Sequence, residues 1–236
     1  MTISREQLEK SVNIVGAVRE AVGDKVDLLI ECHGRFNPTT AIEISRELEQ
    51  FKPMFMEEPC VPDNMDSTAY VRSRSNVPIA AGERGYGKYA FQEMFELDAV
   101  DLAQPDVFHT GGLLEGKKIA AMAEAKHIPV SLHNPSGPVS NAAILQLAAA
   151  TPNFLIHEIM INDGSFRKKI TNEEVIFEDG CILINDKPGL GIDVCVEEVE
   201  KRPYHPINLR HYTGTLTDIR PKDDTIFYFK GIGDNV

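Results

Sequence analysis

Short, continuously apolar stretches alternate with amphipathic stretches along most of the chain. Runs such as "LLI", "MFM" and "PIAA" are typical of strands buried on both faces of a parallel sheet. The stretches between them have helical spacing, beginning with a helix that Ser4 should cap and Gly23 should end. The pattern therefore predicts repeated βα units. The expected strands lie within residues 26–34, 52–59, 77–84, 99–106, 128–135 and 153–160.

A polar residue closes each of the six expected strands. These residues follow one another at intervals of 26, 26, 23, 27 and 25 positions: Glu31, Glu57, Glu83, Asp106, His133 and Glu158. In a (β/α)₈ barrel the carboxyl ends of all strands form one ring, where active sites are built. A doubly wound sheet would instead concentrate its site at one switch point. We therefore predict an α/β fold: a partial (β/α)₈-type TIM barrel of about six βα units over residues 1–165.

The C-terminal part of the chain breaks this alternation. Residues 165–202 predict short strands, turns and a helix, and the remainder is an irregular tail, so we assign residues 166–236 to a C-terminal return segment and tail. Two features depart from a complete barrel. Six strands are expected rather than eight, and the first element is a helix with no strand before it.

Composition and charge limit the classes of function. The 236 residues carry a formal net charge of −12, which disfavours nucleic acid because phosphate binding needs a basic face. No apolar run is long enough to span a membrane, and the N-terminus lacks the features of a secretory signal. Four scattered cysteines indicate neither a zinc site nor a disulfide framework. We therefore expect a cytoplasmic protein that binds neither nucleic acid nor membrane.

Three carboxylates end consecutive strands and should converge. Without a cation or a proton among them, Glu31, Glu57 and Glu83 would repel one another strongly. Ligation by oxygen alone suits Mg²⁺, and a bound cation would attract an anionic substrate despite the negative net charge. The spacing thus predicts a Mg²⁺ site. Glu58, which follows Glu57, is interpreted as an ion-pair partner rather than a second ligand.

Two histidines are placed to work on opposite sides of this site. His33 follows the first carboxylate by two residues, so on an extended strand both side chains point the same way. His133 ends a strand nearly opposite in the ring, and Asp106 is placed to bond it, fixing its tautomer and raising its basicity. We interpret the two histidines as an acid and a base. His157 should point toward the helix layer. Five histidines have no such placement: His109, His127, His157, His205 and His211.

Six short motifs occur in one order at this spacing. They are "ECHGRFN", "MFMEEP", "PIAAGER", "AQPDVFHTGG", "LHNPSGP" and "KPGLGID". Together they resemble the enolase superfamily, in its mandelate racemase-like branch, and within it the galactonate dehydratase type of sugar-acid dehydratase. The resemblance covers about residues 4–197.

The resemblance implies a Mg²⁺-dependent lyase. By this resemblance Glu31, Glu57 and Glu83 would hold Mg²⁺, and His133, oriented by Asp106, would remove the proton alpha to the substrate carboxylate. The product would be a 2-keto-3-deoxy acid formed from an aldonate such as galactonate. The family usually has Asp at the position of Glu31. The side chain of Glu31 is longer and still offers a carboxylate, but its length would shift the metal.

The resemblance also implies roles for residues around the metal. His33 would protonate the departing 3-hydroxyl, and Glu158 would bind the substrate or the enolate oxygen. Arg35 and Glu58 complete the predicted substrate-binding set. Two alternatives remain open: a hydroxy-acid racemase or epimerase, and a truncated barrel without catalysis. His33 favours the dehydratase, because a leaving hydroxyl needs an acid.

The resemblance also bears on the extent and assembly of the chain. Relatives carry an N-terminal capping domain and two further barrel strands, and the "KPGLGID" segment would normally join that cap. We therefore expect the chain to be a fragment, a shortened gene model or half of a complemented assembly. Because relatives commonly assemble symmetrically, a homo-oligomer is also expected.

Overall fold

Six parallel strands form one sheet in the computed structural model, which describes residues 2–159, 169–172 and 176–203. The strands are β1 (Leu29–Glu31), β2 (Phe55–Glu57), β3 (Ile79–Ala81), β4 (Leu102–Ala103), β5 (Val130–Leu132) and β6 (Phe154–His157). The helices are α1 (Arg5–Val22), α2 (Pro38–Leu48), a 3₁₀ turn (Glu49–Phe51), α3 (Met65–Arg72), α4 (Gly87–Glu96), α5 (Val107–Thr110), α6 (Leu113–Ala125) and α7 (Pro138–Ala149). Each strand pairs with the next along the chain. The predicted partial barrel of βα units is confirmed.

Local capping signals account for the helix starts. The Ser4 hydroxyl accepts from the backbone N–H of Gln7, whose side chain accepts from the backbone N–H of Ser4, so the expected capping box is present. Gly23 ends α1 with a φ of 70°. The Asn37 side chain caps α2 by accepting from the backbone N–H of Thr40 at 2.9 Å, with proline at the first turn.

Two details differ from the sequence prediction. The hydrogen-bonded strands are only two to four residues long, because the ladder covers the centre of each apolar run. A short helix, α5, follows β4 where no element was predicted. Its N-cap is Asp106, whose side chain accepts from the backbone N–H groups of Phe108 and His109. An aspartate at this position is the signal that could have predicted the turn.

The two faces of the sheet bury separate apolar clusters. On the inner face, Phe55, Ala80 and Leu102 pack together below the polar strand ends. On the outer face, a larger cluster joins the strands to α4 and α6 and includes Phe91 and Ile119, both fully buried. Burying one such large apolar side chain stabilises a fold by about 1.5–3 kcal/mol. The core thus fixes the strands whose ends carry the site.

The pairing of β5 with β6 shifts by one residue. Val130 pairs with Phe154, but Leu132 pairs with His157, so β6 contains one extra residue. The His157 ring lies 6.0 Å from the ring of Phe154, which packs on the outer cluster. His157 also lines the cavity inside the strand ends, so the expectation that it points toward the helix layer is not confirmed. Burial lowers the pKa of His157.

The described residues beyond 160 belong, with residues 137–139, to a second compact unit. Its described part contains an antiparallel pair, β7 (Phe177–Glu178) and β8 (Cys181–Ile182), and α8 (Val196–Glu200). Short strands and a helix were expected in this region. The predicted domain boundary at 165/166 and the tail from residue 204 lie outside the described residues, so both stay predictions. Among the described helices, none combines the length and apolarity needed to cross a membrane.

Candidate active site at the strand ends

Three carboxylates converge at the carboxyl ends of β1, β2 and β3. Glu31 and Glu57 are direct register partners, and Glu83 follows β3 by two residues. One oxygen of each lies within 4.8 Å of the others. Oxygen ligands lie ~2.1 Å from Mg²⁺ or up to ~2.6 Å from Ca²⁺, so two ligands of one ion lie up to ~4–5 Å apart. The three side chains therefore fit a single hard divalent cation.

The electrostatics of the cluster favour a cation or protons. Desolvation and then the negative charges of Glu57 and Glu83 raise the pKa of Glu31 to about 8. Desolvation is also the largest cause of the raised pKa values of Glu57 and Glu83. Glu31 keeps an exposed side at the sheet edge, where solvent screens part of the repulsion. A divalent cation would relieve this repulsion, because it stabilises all three ionised groups.

Asp106 and His133 form a hydrogen-bonded pair next to the cluster. An isolated parallel bridge joins the two residues beyond β4 and β5. His133 Nδ1 lies 2.8 Å from Asp106 Oδ2, while Asp106 Oδ1 accepts from the N–H of Phe108 at 2.7 Å. Burial works to raise the pKa of Asp106, but these hydrogen bonds outweigh it and the pKa is lowered. An ionised Asp106 therefore orients the imidazole.

The other ring nitrogen of His133 faces the acidic cluster. Its Nε2 lies 3.3 Å from Glu83 Oε2 and 3.7 Å from Glu158 Oε2. Burial works to lower the pKa of His133, but the bond to Asp106 and the charges of Glu83 and Glu158 raise it overall. With Nδ1–H donated to Asp106, Nε2 is the atom available for proton transfer.

His33 reaches the site by a turn rather than by strand alternation. β1 ends at Glu31, and His33 has a φ of 51°, so the expected extended conformation is wrong. The backbone N–H of His33 donates to the Glu31 carboxylate, and Nε2 lies 3.7 Å from Glu83 Oε1. The two imidazoles therefore lie at the two oxygens of Glu83. A left-handed non-glycine residue is strained, which is common at active sites.

Glu58 forms a buried ion pair with Arg84. Its Oε1 accepts from the N–H of Gly82 at 2.9 Å, and its Oε2 lies 2.5 Å from Arg84 Nη2. Arg84 Nε lies 3.5 Å from Glu83 Oε1. A Cβ on Gly34 would lie 2.6 Å from Arg84 Nη2, so glycine lets the guanidinium pass. The ion-pair interpretation of Glu58 is confirmed, whereas its substrate contact stays a prediction and both its oxygens are engaged.

A cavity of about 260 Å³ lies inside the strand ends. It is lined by Leu29, Glu31, Phe55, Glu57, Gln104, Ser131, Leu132, His133, Ile156, His157 and Glu158. Its floor is apolar and its upper wall carries the carboxylates and the imidazole. This volume is close to the lower end for small-molecule sites, ~300 Å³, so it suits a small polar ligand.

Gln104 is a site residue that the sequence interpretation missed. It lies in the "AQPD" motif, is 3% exposed and lines the cavity. A hydrogen bond from its side chain lowers the pKa of Glu57, although desolvation raises that pKa more. Its Oε1 is buried and has no hydrogen-bond partner within the described residues. The position of Gln104 directly after β4, on the inner face, could have indicated that it is a site residue.

The predicted substrate-binding residues occupy different positions. Glu158 is exposed beyond β6, where its Oε2 accepts from the N–H of Asn134 at 2.9 Å. Arg35 lies in the turn after β1, where its N–H donates to the carbonyl of Cys32. The structure brings Glu158 beside His133 but records no side-chain contact of Arg35 within the described residues.

The position of His109 differs from the sequence prediction. It was given no place near the site, but its Nδ1 lies 2.7 Å from the carbonyl oxygen of Glu83. Its ring centroid lies 6.4 Å from that of His133. Because no helix was predicted after Asp106, the turn that brings His109 back to the site was not foreseen.

Comparison with known proteins identifies the family. The model of the family described as enolase C-terminal domain-like matches residues 1–199. The chain belongs to this family. The resemblance to the enolase superfamily deduced from six motifs is therefore confirmed, and the paired imidazoles and carboxylates lie in the region that the family model covers.

Relatives of this enolase C-terminal domain-like chain include sugar-acid enzymes. It is 36% identical over 194 residues to the D-xylonate dehydratase of Haloferax volcanii, covering 82% of the chain and 47% of that protein. It is 36% identical over 202 residues to the D-gluconate/D-galactonate dehydratase of Picrophilus torridus, covering 86% and 52%. The chain thus spans about half the length of these relatives.

Solved structures resemble the same part of the chain. A mandelate racemase/muconate lactonizing enzyme-like protein from Rubrobacter xylanophilus superposes with a TM-score of 0.82 at 38% identity. The match covers 86% of this chain and 52% of that protein. The partial barrel is thus similar to about half of a larger solved protein.

Proposed function

We propose that this family member dehydrates a sugar acid, of the aldonate class, to a 2-keto-3-deoxy acid. The observation that carries the proposal is the placement of His33 and His133 at the two oxygens of Glu83, inside a cluster of three carboxylates. The names of the relatives, which include D-xylonate and D-gluconate/D-galactonate dehydratases, support the same class of reaction.

The proposed cofactor is Mg²⁺, held by Glu31, Glu57 and Glu83. Three carboxylates and no sulfur or nitrogen ligand match the preference of a hard cation. When bound, Mg²⁺ supplies positive charge that stabilises the negative charge developing on the substrate carboxylate. Arg84, which lies 3.5 Å from Glu83, and the hydrogen bond from Gln104 to Glu57 orient two of the three ligands.

His133 is the proposed base. Its Nδ1–H is donated to Asp106, so the lone pair on Nε2 points at the cavity and accepts the proton alpha to the carboxylate. Asp106 has a lowered pKa and stays ionised, so it stabilises the imidazolium that forms. Glu158, 3.7 Å from Nε2, is placed to contact the substrate next to the base.

His33 is the proposed acid. As the alpha C–H bond breaks, its electron pair forms the C2–C3 double bond and the C3–O bond breaks. Protonated His33 gives its proton to the departing oxygen, which leaves as water. The resulting enol becomes the 2-keto-3-deoxy acid when C3 takes up a proton and the C2 hydroxyl loses one to solvent. Elimination needs an acid for the departing hydroxyl, and His33, beside Glu83 Oε1, is placed to supply it.

A substrate panel tests this function. The 236-residue chain is incubated with Mg²⁺ and with D-xylonate, D-gluconate or D-galactonate, and 2-keto-3-deoxy products are measured with and without EDTA. We expect product that depends on Mg²⁺ and disappears in His133→Asn. Exchange of the alpha proton with D₂O but no product would support a racemase or epimerase instead. Neither exchange nor product with any acid would count against catalysis by this chain.

A further inference from the structure

His109 joins three parts of the candidate site, although it lies outside the acid, base and ligand set. Its Nδ1 lies 2.7 Å from the carbonyl oxygen of Glu83, and its ring centroid lies 6.4 Å from that of His133. Its backbone N–H donates to Asp106 Oδ1 at 3.3 Å. We propose that His109 is a positioning residue, which holds the Glu83 ligand and the His133 base in their relative orientation. The inference rests on the proposed function.

The hydrogen bond to Glu83 fixes the tautomer of His109. A carbonyl oxygen only accepts, so Nδ1 must carry the proton and donate it. The bonded carbonyl lies in the turn after β3, where Gly82 has a φ of 135° and accepts from the N–H of Gly85. Anchoring the peptide that follows Glu83 restricts the direction of its side chain. Outer partners of this kind typically change metal affinity by about 10- to 100-fold when removed.

The contact between the rings of His109 and His133 restricts the rotation of the proposed base. The separation of the His109 and His133 ring centroids falls within the ~4.5–7 Å range of packed rings, and the two rings are tilted by 31°. On its other side, the His109 ring lies 5.8 Å from the ring of Tyr86, which is 72% exposed. His109 thus stands between Tyr86 and His133. A packed neighbour limits ring rotation of His133 and keeps its Nε2 directed at Glu83.

A purely structural role within α5 does not explain these contacts. The Asp106 side chain already caps this short helix, and Gly111 closes it in a left-handed conformation. The bond from residue 109 to Asp106 uses the backbone N–H, which any residue other than proline supplies. The His109 side chain instead contacts Glu83 and His133, outside its own helix.

Two substitutions separate the two contacts. His109→Asn keeps a donor close to the place of Nδ1 but removes the ring, whereas His109→Phe keeps a ring but removes the donor. We expect His109→Phe to weaken Mg²⁺ binding about 10-fold in calorimetry. We expect His109→Asn to bind Mg²⁺ almost as the unsubstituted chain does, but to lower kcat more than KM. Unfolding temperatures equal to that of the unsubstituted chain would show that both variants fold.

The positioning role of His109 can also be tested without Mg²⁺, independently of the proposed function. In proton NMR of the metal-free 236-residue chain, the Nδ1 proton of His133 should exchange with water faster in His109→Asn than in His109→Phe, because the ring no longer restrains it. Equal exchange rates in both variants and the unsubstituted chain would overturn the positioning role. So would Mg²⁺ binding by His109→Phe at full affinity. An unsubstituted chain that neither binds Mg²⁺ nor exchanges an alpha proton would count against the proposed function, while the NMR comparison still decides the role of His109.

Discussion

Asp106 presents one carboxylate oxygen to a helix and the other to His133. Oδ1 accepts from the first backbone N–H groups of α5, and Oδ2 lies 2.8 Å from His133 Nδ1. Because the helix fixes the carboxylate, the carboxylate in turn fixes the imidazole. The helix capping and the proposed base chemistry therefore depend on the same side chain.

Asp106→Asn should disable the base without unfolding the protein. The amide oxygen can still cap α5, but the amide N–H₂ would then face Nδ1 and favour the tautomer with its proton on Nε2. We expect alpha-proton exchange in D₂O to fall by about 10²–10⁴, the usual contribution of general acid–base catalysis. Asp101→Asn is the matched control, since Asp101 pairs with Arg72 away from the cavity. Equal exchange rates in Asp106→Asn and the control would show that Asp106 does not orient His133 for proton removal.

Glu57→Gln should remove the metal site. Glu57 lies between Glu31 and Glu83 in strand order, so its loss takes one charge from the centre of the cluster. We expect no measurable heat of Mg²⁺ binding in calorimetry with this variant. Glu115→Gln serves as control, because Glu115 pairs with Lys88 and Lys118 outside the cluster. Retained Mg²⁺ affinity in Glu57→Gln would exclude Glu57 as a ligand.

The strand ends could be predicted because a parallel barrel repeats one connection many times. An apolar run followed by a polar residue marks each end, so the convergence of Glu31, Glu57 and Glu83 followed from spacing alone. The pairing of Asp106 with His133 followed from the same argument, because adjacent strands end side by side. These contacts depend on regular backbone, which periodicity describes well.

The remaining contacts depend on irregular backbone. His33 reaches Glu83 through a left-handed turn, and His109 returns through a single helical turn that Asp106 caps. Neither conformation has an apolar period, so strand alternation placed His33 on an extended backbone that the structure does not have, and it gave His109 no place near the site. Gln104 was missed for another reason. It lies within the motif that contains Asp106, and its side chain lines the cavity, but a neutral amide carries no charge that would mark it as a site residue.

The metal-free protein should lose stability as the pH rises. The folded pKa of Glu31 is about 8, against an ordinary value of 4.5, so the folded state holds its proton more tightly than the unfolded state. The contribution of this proton to the stability of the folded state is fully present below pH 4.5 and is lost as the pH rises through about 8. We expect the unfolding temperature in EDTA to fall over this range.

The substitution Glu31→Gln isolates the contribution of Glu31 to this pH dependence. Glu57, Glu83 and His133 also have raised pKa values and contribute a slope of the same sign, so the variant should show a shallower slope rather than none. Mg²⁺ should stabilise the unsubstituted chain more at pH 8 than at pH 5, because the ion binds the ionised carboxylates. Identical slopes for both chains in EDTA would show that Glu31 titrates normally.

Glu58→Gln should destabilise the fold and weaken the metal site together. Glu58 is 2% exposed, and its loss of charge leaves the guanidinium of Arg84 poorly paired beside Glu83. Because Arg84 keeps partial contact with solvent, we expect a loss of about 1–3 kcal/mol in the free energy of unfolding, measured by denaturant titration. Breaking the more exposed pair of Arg72 and Asp101 with Asp101→Asn should cost less, below about 1 kcal/mol. If the two variants lose equal stability and Glu58→Gln binds Mg²⁺ normally, the buried pair does not support Glu83.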